Sequence, residues 1–229
     1  MNDRLQLPPL VTDLGLPYRL RPARGNAAGL VLLMHGVGSN ETSLAGFLGL
    51  IPDDIAVALV RFPIEMAPGA YSAFSVNFTA SGPMIDADAA ENSRRLLASF
   101  VGELQARTGV APSRTLAAGF SQGGIMSAGL GLTRPDIVAG FAILSGRILP
   151  EIAPLIAPPA QLGGLDALIL HGDQDDRLPV EWAERSASLL QQLGVRFEQK
   201  RYPARHEITP AMAQDFVAWV TRRLVPAQG

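Results

Sequence analysis

The sequence predicts an α/β protein, a mostly parallel central sheet with helices on both faces. Short apolar runs ending in Gly, Pro or polar turns recur along the chain. They show little alternation, as strands buried on both faces do. Segments with helical spacing lie between them, the pattern of a parallel sheet wrapped by helices. The 229 residues fit a single domain, with its core at about 18–225 and no internal repeat.

The elements follow in order. Tyr18–Arg21 is an early strand that extends the sheet. Leu30–Met34 ends at His35-Gly36, and Val57–Val60 ends near Pro63. Asp86–Thr108 carries Leu96, Leu97, Phe100, Val101 and Leu104 at helical spacing. Acidic Asp86, Asp88 and Glu91 stand in its first turns, where a helix favours negative charge. Thr115–Ala118 is a strand ending at Gly119, with a helix over Gln122–Leu132. Phe141–Leu144 stops at Ser145-Gly146, and Leu165–Leu170 at His171-Gly172. Val180–Leu193 is a helix closed by Gly194 as C-cap. Arg196–Tyr202 alternates more than the others and belongs near a sheet edge. Ile208–Leu224 places Met212, Phe216, Trp219, Val220 and Leu224 on one helical stripe. Two stretches, Pro63–Pro83 and Pro150–Gly164, break the alternation. They read as long irregular connections, which in compact domains are usually functional. Both follow strands, so both should lie over the C-terminal edge of the sheet, where open α/β sheets bind ligands.

Composition narrows the function. Nineteen basic against 21 acidic residues give a net charge of −2. No basic patch or stripe announces a nucleic-acid partner. The chain has no cysteine, which removes disulfide scaffolds, thiolate metal sites and thiol nucleophiles. No metal site and no cofactor are expected. The start lacks a basic region followed by an apolar one, and no apolar stretch approaches the ~20 residues a bilayer span needs. The expected location is cytoplasmic. Gly and Pro, 23 and 18 in number, are scattered and therefore mark turns.

Gly119-Phe120-Ser121-Gln122-Gly123 is a G-x-S-x-G sequence between a strand and a helix. In that context it reads as a nucleophile elbow, a turn so tight that it lifts the serine hydroxyl clear of the sheet. Small residues two positions either side let strand and helix approach, and the helix N-terminus favours developing negative charge. A plain Gly-Ser turn is the bland alternative. A serine nucleophile needs a base, and histidine titrates in the right range. Folds built on this elbow run Ser, then Asp or Glu, then His. Of the three histidines, His35 precedes Ser121 and His171 ends a strand, whereas His206 lies between the last strand and the last helix. His206 is the candidate base. The acid that orients it should follow the preceding core strand. There Asp173, Asp175 and Asp176 all qualify, and periodicity does not choose among them. The same loop lacks the length, the turn Gly and the final Glu of a calcium loop.

Met34-His35-Gly36-Val37-Gly38-Ser39-Asn40, Gly119-Phe120-Ser121-Gln122-Gly123-Gly124, His171-Gly172-Asp173-Gln174-Asp175 and His206 together resemble the phospholipase/carboxylesterase family of α/β-hydrolases. That group includes acyl-protein thioesterases and small bacterial carboxylesterases. The resemblance runs from about Leu30 to the C-terminus and rests on four motifs in order. It implies an α/β-hydrolase fold. It selects Asp175 as the acid, through the pattern His-Gly-x-x-Asp followed by Leu178-Pro179, with Asp173 second. It implies an oxyanion hole of two backbone N–H groups, those of Gln122 and Val37, each worth roughly 3 kcal/mol. His35 then becomes a loop-shaping residue. Two departures bear on the acyl pocket: Ala73 stands where relatives often carry Trp, and Arg205 where Gly is common.

The expected function is a serine hydrolase cleaving carboxylic esters of small to medium acyl chains through an acyl-serine intermediate. An acyl-thioesterase or lysophospholipase on the same site is the alternative. A non-catalytic binding protein that kept the fold is the reading from a different class. Met66, Tyr71, Phe74 and Phe78 are candidates for an apolar substrate rim, with core packing as the competing role. Arg61 and Arg147 each fall just past a strand end; structural ion pairs are expected of both, with an acidic substrate group as the alternative. The expected partner is a small-molecule ester, and a homodimer is one candidate assembly.

Overall fold

The computed structural model describes residues 7–79 and 82–225, and of residues 78, 79, 82 and 83 only the backbone. The chain enters the sheet through β1 (Leu10–Val11), β2 (Tyr18–Arg21), β3 (Gly29–Met34) and β4 (Ile55–Val60). Two small hairpins follow, β5 (Ile64–Ala67) with β6 (Ala70–Ser72), then β7 (Val76–Thr79) with β8 (Gly82–Ile85). After them come α1 (Ala87–Thr108), β9 (Thr115–Phe120), α2 (Gln122–Thr133) and β10 (Gly140–Leu144). The short α3 (Pro159–Leu162), β11 (Asp166–Gly172), α4 (Glu181–Leu193), β12 (Arg196–Tyr202) and α5 (Pro210–Leu224) complete the chain.

The main sheet has eight strands in the order β1-β2-β4-β3-β9-β10-β11-β12. β2 pairs antiparallel with both neighbours, and the strands from β4 to β12 run parallel. β12 closes one edge, as its alternation predicts. The central strands are buried along their length, save Phe120 at the end of β9, which is half-buried, and successive residues serve opposite cores. Leu30, Leu32 and Met34 join Leu97, Phe100 and Leu104 of α1, Met126 and Leu130 of α2, and Leu190 of α4. Val31 and Leu33 join Phe216, Trp219 and Val220 of α5, together with Phe47 from a 3-10 turn after β3. This division explains the unbroken apolar runs: every side chain meets a helix layer, whichever face it takes.

Helix ends follow local chemistry. Asp86 caps α1 by accepting the N–H of Ala89 at 2.9 Å. Thr209 caps α5, so that helix starts at Pro210 and not at Ile208. α4 ends at Gly194 in the left-handed region, φ 70°. Pro63–Pro83 departs from the expected irregular connection: it holds the two hairpins β5/β6 and β7/β8, the first turning at Gly69 with φ 77°. Tyr71 of that hairpin bridges Ser39, which ties the hairpin to the loop after β3. Pro150–Gly164 likewise contains a 3-10 turn over Pro150–Leu155 and the helix α3. Among the described residues no helix is long and apolar enough to cross a membrane.

Candidate active site

β3, β9, β10, β11 and β12 all point their C-terminal ends at one edge, and the loops leaving those ends meet there. Ser121 follows β9 with φ 54° and ψ −115°. That is a sparsely populated conformation for a residue with a side chain, and it costs on the order of 1–3 kcal/mol. The glycines around it make the turn fit. A Cβ on Gly119 would lie 2.6 Å from the carbonyl oxygen of Gly123, and one on Gly123 would lie 2.5 Å from the Met34 carbonyl carbon. The Ser121 N–H donates to Leu144 O at 2.8 Å, which pins the elbow to β10.

His206 lies on the loop between β12 and α5. Its Nε2 is 2.9 Å from Ser121 Oγ, and its Nδ1 is 2.7 Å from Asp175 Oδ2. Because a carboxylate only accepts, Nδ1 carries the proton and donates to Asp175. Nε2 is left with its lone pair toward the serine O–H. Phe120 packs against the imidazole with ring centroids 4.8 Å apart. The Asp175 side chain is fully buried. Burial alone would raise its pKa, but hydrogen bonds from His171, His206 and the Leu178 N–H outweigh it and hold the carboxyl well below its ordinary value. Its Oδ1 accepts the N–H groups of Arg177 and Leu178 at 2.9 and 2.8 Å. His171 Nε2 lies 2.7 Å from Leu178 O and 3.4 Å from Asp175 Oδ2, so it fixes the acid loop from below. Asp173 instead faces outward to Arg201, and Asp176 pairs with Arg205, both of them lining the cavity above Ser121.

Val37 and Gln122 both line the cavity above Ser121. Neither backbone N–H donates to a described residue. The Val37 loop is held from both sides, because Gly38 N–H donates to Tyr71 O at 2.9 Å and Tyr71 N–H donates to Ser39 O at 2.7 Å. The Gln122 side chain fixes the opposite loop. Its Oε1 accepts the Ala73 N–H at 2.8 Å, and its Nε2 donates to Phe74 O at 2.9 Å. His35 is buried and neutral: Nδ1–H donates to Gly36 O at 2.7 Å, and Nε2 accepts the Phe62 N–H at 3.2 Å. Burial depresses its pKa. It shapes the loop that presents Val37.

The cavity measures about 570 Å³, and its apolar wall is Phe74, Val76, Ile85, Phe120, Ile125 and Leu178. Of the rim residues expected from sequence, Phe74 is present. Met66 and Tyr71 are not: Met66 is exposed on β5, and the Tyr71 ring lies under Arg61 with its hydroxyl near Glu65. Both belong to the β5/β6 hairpin, none of whose residues lines the cavity. The Phe78 side chain falls outside those described. Sequence reasoning missed Val76, Ile85 and Ile125. Ile125 was discoverable, since it stands four residues after Ser121 on α2 and so shares its face. Arg61 forms the expected ion pair, with Nε 2.7 Å from Glu41 Oε2. Arg147 does not. Among the described residues it makes no ion pair and no hydrogen bond, and it lines the cavity.

A strand order of this kind, with a strained serine at the end of a central strand, defines the α/β-hydrolase fold. A carboxylesterase from Mesorhizobium loti shares it with a TM-score of 0.81 at 24% identity, covering 93% of this chain and 98% of that one. Esterase PE8 gives a TM-score of 0.74 at 26% identity, covering 96% and 100%. The chain belongs to the phospholipase/carboxylesterase family, whose family model matches residues 19–222. Acyl-protein thioesterase 1 of Gibberella zeae is 32% identical over 122 residues, 52% of each chain, so the chain matches about half the length of that curated relative.

Proposed function

We propose that the chain is a serine hydrolase cleaving carboxylic esters of small to medium acyl chains, with Ser121, His206 and Asp175 as its triad. One observation carries the reading: the unbroken hydrogen-bonded line from Ser121 Oγ through His206 to buried Asp175, under two N–H groups without a partner among the described residues. Ser121 Oγ attacks the ester carbonyl as its proton passes to His206 Nε2. The oxyanion that forms is stabilised by the N–H groups of Val37 and Gln122, each worth roughly 3 kcal/mol. Asp175 keeps the imidazole in the required tautomer and stabilises its cation. His206 then protonates the departing alcohol, and water repeats the sequence to free the acid and Ser121. A largely apolar cavity of about 570 Å³ supports acyl groups of small to medium length.

A second reading, an acyl-thioesterase or lysophospholipase on the same site, is favoured by the likeness to an acyl-protein thioesterase. The chemistry at Ser121 is the same, and only the leaving group differs. A p-nitrophenyl ester series from acetate to palmitate, run beside acyl-coenzyme A thioesters, separates the two. A fluorophosphonate probe is expected to leave a mass adduct on Ser121 that vanishes in Ser121→Ala. A folded protein with neither adduct nor turnover is a binding protein, and the proposal fails.

A further inference from the structure

Two arginines follow strand ends in this chain, and the fold treats them oppositely. Arg61, after β4, spends its Nε and Nη2 on Glu41. Arg147, three residues after β10, is only 5% exposed, yet it donates to no described residue, and its Nε is buried without a partner. Burial lowers its pKa, and the field of Glu151, an exposed residue beyond ion-pair reach, offsets this in part. Arginine nevertheless stays charged. A desolvated cation without a carboxylate is costly. The face of Trp182, 4.2 Å from the guanidinium carbon, supplies some compensation but satisfies no N–H.

The backbone that carries it is firmly placed. A Cβ on Gly146 would meet Ser121 O at 2.8 Å, so the segment before Arg147 lies against the elbow backbone. The next residue, Ile148, donates its N–H to Ser186 Oγ at 3.0 Å. The cavity that Arg147 lines is the one above Ser121, and Arg177 and Arg205 line it too. The one carboxylate among its described lining residues, Asp176, is 3.3 Å from Arg205. The cavity therefore combines an apolar wall with an unspent guanidinium fork, the geometry that takes a carboxylate or phosphate in two parallel hydrogen bonds.

We propose that the ester this site hydrolyses carries an anionic group, a carboxylate or a phosphate, and that Arg147 binds it while the carbonyl lies at Ser121. The inference rests on the esterase reading above and names its substrate class. Arg147 acts in binding and specificity, and no proton moves through it.

The test uses matched pairs that share a leaving group or an acyl group. In the first arm the anion is on the acyl side: mono-p-nitrophenyl esters of dicarboxylic acids from succinate to suberate, each against the monocarboxylic ester of equal length. In the second it is on the alcohol side: the butyrate ester of glycerol phosphate against monobutyrin. Wild type is expected to favour the anionic member of at least one pair by about tenfold or more in kcat/KM, the size of a charge-assisted pair. Arg147→Gln should bring that ratio close to one. Arg147→Lys, which keeps a cation but loses the fork, should retain part of it. A purely structural role for Arg147 would lower both members of a pair together and leave the ratio intact. A wild-type ratio near one in both arms overturns the proposal whether or not the variants fold, as does a ratio that survives in folded Arg147→Gln. Neutral esters turned over without preference refute this inference alone. No turnover of any ester and no adduct on Ser121 refute the esterase reading with it.

Discussion

Asp175→Asn tests what the carboxylate does for His206, and the structure sets the size of the effect. Asp175 Oδ1 accepts two backbone N–H groups, those of Arg177 and Leu178. An asparagine must keep its oxygen there or set its NH2 against both. The second arrangement strands two buried donors at about 1–3 kcal/mol each, or about 2–6 kcal/mol together. The amide therefore turns its NH2 toward His206 Nδ1, at the site where Oδ2 now accepts at 2.7 Å. Nδ1 must then accept, the proton sits on Nε2, and Nε2 no longer takes the proton of Ser121. Reaching the productive tautomer costs the same 2–6 kcal/mol, a fall of about 30- to 3 × 10⁴-fold in kcat. Asp173→Asn is the control. Asp173 is exposed and paired with Arg201, and a change of no more than about twofold is expected. Initial rates with p-nitrophenyl butyrate at neutral pH, with a melting curve for each variant, provide the readout. A folded Asp175→Asn within threefold of wild type would refute the tautomer argument.

Three further outcomes follow from the same geometry. Gly123→Ala drives a methyl group to 2.5 Å from the Met34 carbonyl carbon and 2.9 Å from His35 O; a loss of about 3 kcal/mol is expected, or roughly 6–12 °C in Tm, and an unshifted melting curve would show that the elbow relaxes freely. Gln122→Ala keeps the backbone N–H but frees the Ala73–Phe74 loop; KM should rise more than kcat falls, and a kcat collapse as deep as that of Ser121→Ala would count against a positioning role. Glu41 is buried, which raises its pKa, but Arg61 and Arg19 pull it down to about 2 from 4.5. Its stabilisation is therefore complete above about pH 4.5 and lost as pH falls toward 2, and it is on the order of 3 kcal/mol at neutral pH. Denaturant titrations of Glu41→Gln and wild type should differ by that amount at neutral pH and converge in acid; a constant gap would mean that the charge contributes nothing.

The sheet was legible because its strands are buried on both faces. A run such as Leu30–Met34 needs no alternation when Leu32 and Leu33 enter different helix layers. β12, covered less, kept its alternation and was readable as an edge. Strand ends shifted by a residue or two, since Ile55 and Gly140 extend their strands through pairing with neighbours that the local sequence does not reveal. The hairpins inside Pro63–Pro83 were hidden for another reason. Each strand there is only three or four residues long, too short for a period to register, and three Pro and two Gly interrupt the stretch.

The site divides along the same line between local and distant causes. Ser121 was readable because the glycines that permit its turn stand beside it in sequence, and His206 because it follows the last strand, whereas His35 precedes the serine and His171 ends a strand. Among the three aspartates the residues alone did not choose; Asp175 differs from Asp173 only in meeting the N–H groups of its own turn and the ring of His206, contacts made in three dimensions. Arg61 and Arg147 are the sharpest case. Both follow a strand, both were expected to pair, and nothing near either in sequence separates them. What separates them is Glu41, carried by the loop after β3 to Arg61 and to Arg19, while no carboxylate of the described chain comes within ion-pair reach of Arg147. A fold that had only to keep Arg147 in place could have stacked a neutral side chain on Trp182 without desolvating a charge. Its retention as an unpaired cation on the wall of the cavity above Ser121 is explained if the missing carboxylate or phosphate arrives with the substrate.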